Sequence, residues 1–249
     1  MGKRERLDKL LLARGLVATR EQGQRRILAG EVLVDDRPAV KAGSLVDRDV
    51  SIRLRGKRFP YVSRGGAKLQ AALKSFSIDV RDRVVLDVGA STGGFTDCLL
   101  AHGARRVYAV DVGYGQLDWK LRTNPRVVVL EKRNIRYLGR EEFAESPEVA
   151  TVDVSFISLR LVLPRVKELL APKGEIVALI KPQFEVGKGK VGRGGVVRRT
   201  EEHLQVIEEI GAAAREVGLR VAGVCESPLL GPKGNKEFFI HLIKGAEVS

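Results

Sequence analysis

The sequence predicts an α/β protein: a Rossmann-like, doubly wound sheet of seven strands with an antiparallel last strand, preceded by a small α+β domain. Three observations predict it. Short apolar runs alternate with helical patterns, a glycine-rich turn follows the first of them, and the connection into the last is too short for a crossover helix.

The apolar runs lie at 84–88, 107–112, 127–130, 149–154, 176–180, 221–225 and 238–243. Helical patterns intervene near 95–103, 115–122, 159–171 and 201–217. The final connection, 227–236, is rich in Gly and Pro. A parallel return needs a dozen or more residues, usually helical, so the last strand is expected to run antiparallel.

Residues 1–58 read as a separate α+β domain, 59–62 as a short linker containing Pro60, and 63–249 as the larger domain. Leu7, Leu10 and Leu11 recur at helical spacing, Arg14-Gly15 closes that helix, and Thr19 caps a second one running through Leu28 to Gly30. Val32-Leu33-Val34 and Val50 to Leu54 read as strands around a turn at Asp35 to Pro38. After the linker, Leu69, Ala72, Leu73 and Phe76 mark the buried side of a further helix.

A net charge of +13 predicts a polyanionic partner. The first 58 residues carry 15 Lys and Arg against 8 Asp and Glu, a net of +7, which leaves +6 for the other 191. Arg20, Arg25 and Arg26 share one short helix, where guanidinium groups can meet phosphates in fixed geometry. No run reaches the roughly 18 apolar residues of a membrane span, and the amino end leads into an amphipathic helix. A cytoplasmic protein without membrane association is expected. Cys98 and Cys225 lie in apolar runs and the three histidines are scattered, so neither a disulfide nor a metal site is expected.

The stretch Asp87-Val88-Gly89-Ala90-Ser91-Thr92-Gly93-Gly94-Phe95-Thr96-Asp97 joins a strand to a helix start. Glycines there let a ligand approach the backbone. The spacing G-x-x-x-G-G departs from the dinucleotide pattern G-x-G-x-x-G, which argues against a pyrophosphate-bearing cofactor. Asp111 ends the next strand, about 20 residues on, where a carboxylate suits ribose hydroxyls. Together they point to a nucleoside cofactor without a pyrophosphate, of which S-adenosylmethionine is the common one. Asp87, Gly89, Ser91, Gly93, Gly94, Phe95, Asp111, Asn134 and Asp153 are the expected cofactor set.

In an open α/β sheet, ligands sit beyond the carboxyl ends of the strands. Asp153 and Lys181 both fall at such ends. A lysine directly after an apolar strand is placed to act as a base, or else to reach solvent or hold phosphate. Position alone does not separate these roles.

Resemblance to known families does. Residues 6–11, Thr19-Arg20 and 27–35 resemble the alpha-L RNA-binding module. Lys68 in Ser-Arg-Gly-Gly-Ala-Lys, Asp153 in Asp-Val-Ser-Phe-Ile-Ser-Leu, Lys181 in Lys-Pro-Gln-Phe-Glu and Glu237 in Gly-Pro-Lys-Gly-Asn-Lys-Glu resemble the Lys-Asp-Lys-Glu tetrad of FtsJ-type RNA ribose 2′-O-methyltransferases. With Asp87 to Asp97 and Gly113-Tyr114-Gly115-Gln116-Leu117 also matched, nearly the whole chain is similar to the TlyA, or hemolysin A, family of rRNA methyltransferases.

The resemblance implies S-adenosylmethionine as cofactor, ribosomal RNA as partner and cytidine ribose as target, with Lys68, Asp153, Lys181 and Glu237 catalytic. It leaves a homodimer open. Arg6, Lys9, Arg20, Arg25, Arg26, Arg64, Lys188, Lys190 and Arg193 are the expected RNA contacts, the last three in a basic glycine-rich loop after Lys181. Two other readings compete: an RNA-binding regulator whose methyltransferase fold has lost turnover, and a membrane-active hemolysin.

Overall fold

The amino-terminal unit is built on a leucine stripe. A strand β1 (Arg4–Arg6) runs straight into helix α1 (Leu7–Ala13), which buries Leu7, Leu10 and Leu11. Thr19 Oγ1 accepts from Gln22 N at 3.1 Å and caps helix α2 (Arg20–Leu28), which buries Ile27 against the stripe. Strand β2 (Val32–Val34) pairs with β3 (Arg37–Pro38) across Asp35 and Asp36, both left-handed at φ 47° and 63°. Two positive φ values are what a tight hairpin requires, and Asp tolerates them. Strand β4 (Leu45–Asp47) pairs with β1, while β5 (Ile52–Leu54) completes a three-stranded sheet on β2. The β1–β4 pair has no sequence signature, because three-residue strands are too short to show a period.

The structure, a computed structural model, describes residues 4–17, 19–28, 30–39, 41–54, 60–187, 191–192 and 194–245. It divides into two units, Met1–Arg58 and Phe59–Ser249. Val62, read from sequence as linker, already belongs to the second unit: its N–H donates to Asp97 Oδ2 at 2.8 Å. Tyr61 packs against that unit's core.

The second unit opens with α3 (Arg64–Phe76), capped by Ser63, whose Oγ accepts from Gly65 N at 3.3 Å. Then come β6 (Val84–Val88), α4 (Gly94–Ala101), β7 (Arg106–Asp111), α5 (Trp119–Arg122) and β8 (Val127–Glu131). The helix expected over 115–122 is only one turn, because Asp118 caps Lys120 N at 3.1 Å and holds the preceding segment as a loop. Strand β9 (Val149–Val152), helix α6 (Leu163–Leu169) and strand β10 (Glu175–Ile180) follow. A short α7 (Pro182–Glu185), a long α8 (Thr200–Glu216), β11 (Leu219–Glu226) and β12 (Phe238–Lys244) finish the unit.

The seven strands lie in the order β11-β12-β10-β9-β6-β7-β8. The pairs β10–β9, β9–β6, β6–β7 and β7–β8 are parallel, whereas β12 is antiparallel to both neighbours. The connection too short for a helix therefore makes the expected antiparallel return. Central strands read as unbroken apolar runs since both faces are covered, one by a core around Leu86, Tyr108 and Ile176, the other by a core around Leu69, Leu99 and Phe239. Chain order reverses between β6 and β9, so a crevice opens beyond their carboxyl ends.

Candidate active site

Four polar side chains converge where those strands end. Lys181 follows β10, and its Nζ lies 2.6 Å from Asp153 Oδ1 and donates to Ser155 Oγ at 2.8 Å. Asp153 Oδ1 meets the ammonium at ion-pair distance but outside hydrogen-bond angles, and keeps its accepting capacity. Lys68, one helical turn into α3, donates to Glu237 Oε2 at 2.5 Å. Both ends of that second pair are buried. Glu237 precedes β12 and lies against Gly231, where a Cβ would overlap the carboxylate.

The four expected residues thus form two lysine–carboxylate pairs. Among the described residues no hydrogen bond or ion pair joins one pair to the other: Glu237 holds Lys68, and Asp153 holds Lys181.

A clasp joins the segments carrying Asp153 and Lys181. Glu185, at the end of α7, accepts from Ser158 Oγ at 2.6 Å and from Leu159 N at 2.9 Å. Burial pushes its carboxyl up from the ordinary range, opposed by these two donors. On the same seam the Phe156 and Phe184 rings stand 4.8 Å apart. Phe156 is 89% exposed and has a φ of 64°, an unfavourable backbone for a bulky residue. Sequence reasoning missed it, since an aromatic beside apolar residues reads as core and nothing local announces a positive φ.

The glycine turn sits beside these pairs. Gly89 has a φ of 84°, and a Cβ there would lie 2.9 Å from Asp153 C and closer still to its carbonyl oxygen. Two strand ends therefore cross in contact, which only glycine permits. Gly93, at φ 94°, turns the chain into α4. Ser91 N donates to Asp111 Oδ2 at 2.8 Å and Gly113 N to Oδ1 at 2.7 Å, so the carboxylate ending β7 fixes both loops that flank the crevice. Asn134 Oδ1 accepts from Arg136 N at 3.1 Å and caps a 3₁₀ turn beyond β8.

Three expected cofactor contacts hold the loop from behind. Asp87 is fully buried, its oxygens taking Thr96 Oγ1 at 2.6 Å and Thr151 Oγ1 at 2.9 Å. Burial pushes its carboxyl up to about 6, against the pull of the two hydroxyls. Phe95 turns its ring into the core, 6.2 Å from that of Phe239. Gly94 is small because a Cβ would strike Ser63 Oγ and Gly66 N, where α3 and α4 pack together. The side chains of Asp87 and Phe95 thus bear on core packing.

Of the expected RNA contacts, Arg64 and Lys9 are exposed, and Arg25 and Arg26 lie in the last turn of α2. Arg6 and Arg20 both engage the buried Asp8. Lys188, Lys190 and Arg193 fall outside the described residues. Cys98 is buried and Cys225 half-buried, both as free thiols.

Such a sheet, with its reversed last strand, glycine turn and acidic second strand end, defines a methyltransferase of the Rossmann-like class. The chain belongs to the FtsJ-like methyltransferase family, which it matches over residues 61–244, and carries an S4 domain over residues 5–52. It is 46% identical over 97% of its length, and 91% of the relative's, to the 16S/23S rRNA (cytidine-2′-O)-methyltransferase TlyA of Mycobacterium tuberculosis. It is 40% identical to Hemolysin A of Brachyspira hyodysenteriae, over 96% of this chain and 99% of that one. A solved structure of a hemolysin-named protein from Streptococcus thermophilus superposes with a TM-score of 0.77 at 45% identity, covering 98% of this chain and 90% of that one.

Proposed function

We propose that the protein transfers a methyl group from S-adenosylmethionine to ribose 2′-hydroxyls of ribosomal RNA, with cytidines as targets. The observation that carries the reading is the Lys181–Asp153 ion pair at the carboxyl end of the sheet, beside the glycine turn. Three features support that cofactor: Gly89 and Gly93 take left-handed φ values of 84° and 94° that turn the loop at the strand end, and Asp111 offers a carboxylate where a ribose would lie. Ser91, Asn134 and Asp153 line the same strand ends. Bound there, S-adenosylmethionine supplies an electrophilic methyl on a sulfonium.

A ribose hydroxyl is a weak nucleophile, so this chain's task is alignment and removal of one proton. Lys181, after yielding a proton to solvent, accepts the hydroxyl proton as a neutral amine, and Asp153 and Ser155 hold its Nζ in place. Lys68, fixed by Glu237, brings a second positive charge to the substrate side. Phe156 presents an exposed ring on which an unstacked base can lie. The S4 domain, with Arg6, Lys9, Arg20, Arg25 and Arg26, and the second unit's Arg64, Lys188, Lys190 and Arg193, hold the phosphate backbone.

The hemolysin name of some relatives invites a lytic reading. No helix among the described residues is long and apolar enough to cross a membrane. The decisive experiment incubates the protein with labelled cofactor and separated ribosomal subunits, then maps ribose methylation. Label on a cytidine ribose supports the reading, and label on base alone, or none, overturns it.

A further inference from the structure

Asp8 is a fully buried carboxylate in a domain otherwise rich in positive charge. It sits in the first turn of α1 and is surrounded by donors from three segments. Arg6 Nε reaches Oδ1 at 3.1 Å and Arg6 Nη2 reaches Oδ2 at 3.0 Å. Arg20 Nε and Gln24 Nε2 both reach Oδ2 at 2.9 Å, and Lys9 N reaches Oδ1 at 3.0 Å. The Arg6 guanidinium, with Gln24 and Arg20 behind it, holds the carboxyl well below the ordinary range.

A single carboxylate oxygen therefore gathers two guanidinium groups at one point. Their mutual repulsion is offset only by the one negative charge, so the cluster keeps a net positive charge. Each arginine stays about two-fifths exposed, at 42% and 40% of its side chain. Arg20 spends only Nε on Asp8, and among the described residues no hydrogen bond occupies its two Nη groups or Arg6 Nη1. Gly43 backs the Arg6 head, since a Cβ there would press to 3.3 Å from Nη1. Among the described residues, Arg25 and Arg26, on the helix of Arg20, make no hydrogen bond or ion pair with Asp8.

We infer that Arg6 and Arg20 act as one clamp for a single RNA phosphate, pre-set by Asp8 as a positioning residue. This deepens the RNA-binding reading above and rests on it. An arginine fork held rigid before binding loses less side-chain freedom when it meets a phosphate. Two forks converging on one point present their remaining N–H groups to one anion, whereas separate arginines would each meet their own.

The full chain is titrated with a folded ribosomal RNA transcript over a range of salt. Arg6→Gln and Arg20→Gln each retain a donor for Asp8. Each is expected to weaken binding about ten-fold and lower the salt slope by about one. The double variant is expected to lose little more than either single variant, with the slope still down by about one. Losses that multiply, with a slope down by about two, overturn the clamp while leaving the RNA reading intact. Asp8→Asn, with helix content checked by circular dichroism, is expected to match the single arginine variants; binding equal to the unaltered protein overturns the positioning role. Should that variant fail to fold, the arginine pair decides alone. If the unaltered protein binds with no salt slope, the RNA reading falls and the clamp with it.

Discussion

Lys68 Nζ and Glu237 Oε2 stand 2.5 Å apart although 169 positions separate them in the chain, and both are buried. Helix α3 and the approach to β12 are thereby tied at one point. Breaking such a pair from one side costs far more than removing both charges, because the survivor stays buried without a partner. Glu237→Leu is expected to destabilise the second unit by about 3–5 kcal/mol in urea unfolding. Lys68→Met added to it should restore most of that loss. Equal instability in the double variant would mean that shape, and not charge, governs the point.

Lys181→Ala removes the proposed acceptor of the hydroxyl proton and leaves the glycine turn untouched. Methyl transfer to ribosomal subunits is expected to fall by at least about a hundred-fold, in the range of a lost general base. Cofactor affinity, measured by calorimetry, should stay within a few-fold. Undiminished transfer would dismiss Lys181 from the chemistry.

Gly89→Ala sets a methyl against the Asp153 carbonyl at a left-handed φ of 84°. Strain of this kind costs on the order of 1–3 kcal/mol. Because the collision falls on the residue that holds Lys181, the variant should lose both cofactor affinity and turnover. A variant that keeps its turnover would show that Asp153 need not be held where it is.

Asp87 gives a pH signature. Its carboxyl is held up to about 6 in the folded chain, above the ordinary 3.8, so the native state binds the proton more tightly than the unfolded chain. Its stabilising contribution is full below about 4 and is lost as pH rises through about 6. Asp87→Asn removes that titration. Stability of the unaltered protein relative to the variant should decline between those values, at up to about 1.4 kcal/mol per pH unit. A difference that stays flat over the window would refute the raised carboxyl.

Phe156→Ala tests the exposed ring. A stacked base contributes about 1–3 kcal/mol, so KM for the RNA substrate should rise by roughly ten-fold or more. Thermal stability should not fall, because the ring is 89% exposed. An unchanged KM would leave Phe156 without a part in binding.

Legibility in the sequence followed the range of the interactions. Strand positions and the reversed β12 were readable, because apolar runs and a ten-residue Gly- and Pro-rich connection are local facts. Asp153 beside Lys181 was accessible only through the family resemblance, since both fall at strand ends but nothing local says that β9 and β10 are neighbours. Pairing of Lys68 with Glu237, and not with Lys181, was not, since it depends on where α3 lies along the sheet. Gly94 and Phe95 looked like ligand contacts because a motif reports spacing but not which side of the turn faces inward. The Glu185 clasp escaped for a similar reason: its donors sit 26 and 27 positions away on a loop without periodicity.

Strand β12 lies between β10 and β11, although both precede it in the chain. During synthesis, a nascent chain that has reached Glu226 already holds Lys68, Asp153 and Lys181, while β10 still shows one unpaired edge. An open edge of this kind is a template for wrong partners. Insertion of one late strand then seals that edge and delivers Glu237 to Lys68 in a single event. Pairing of the second edge of β10 and assembly of the candidate site thus coincide, and a chain that stops short of β12 has neither.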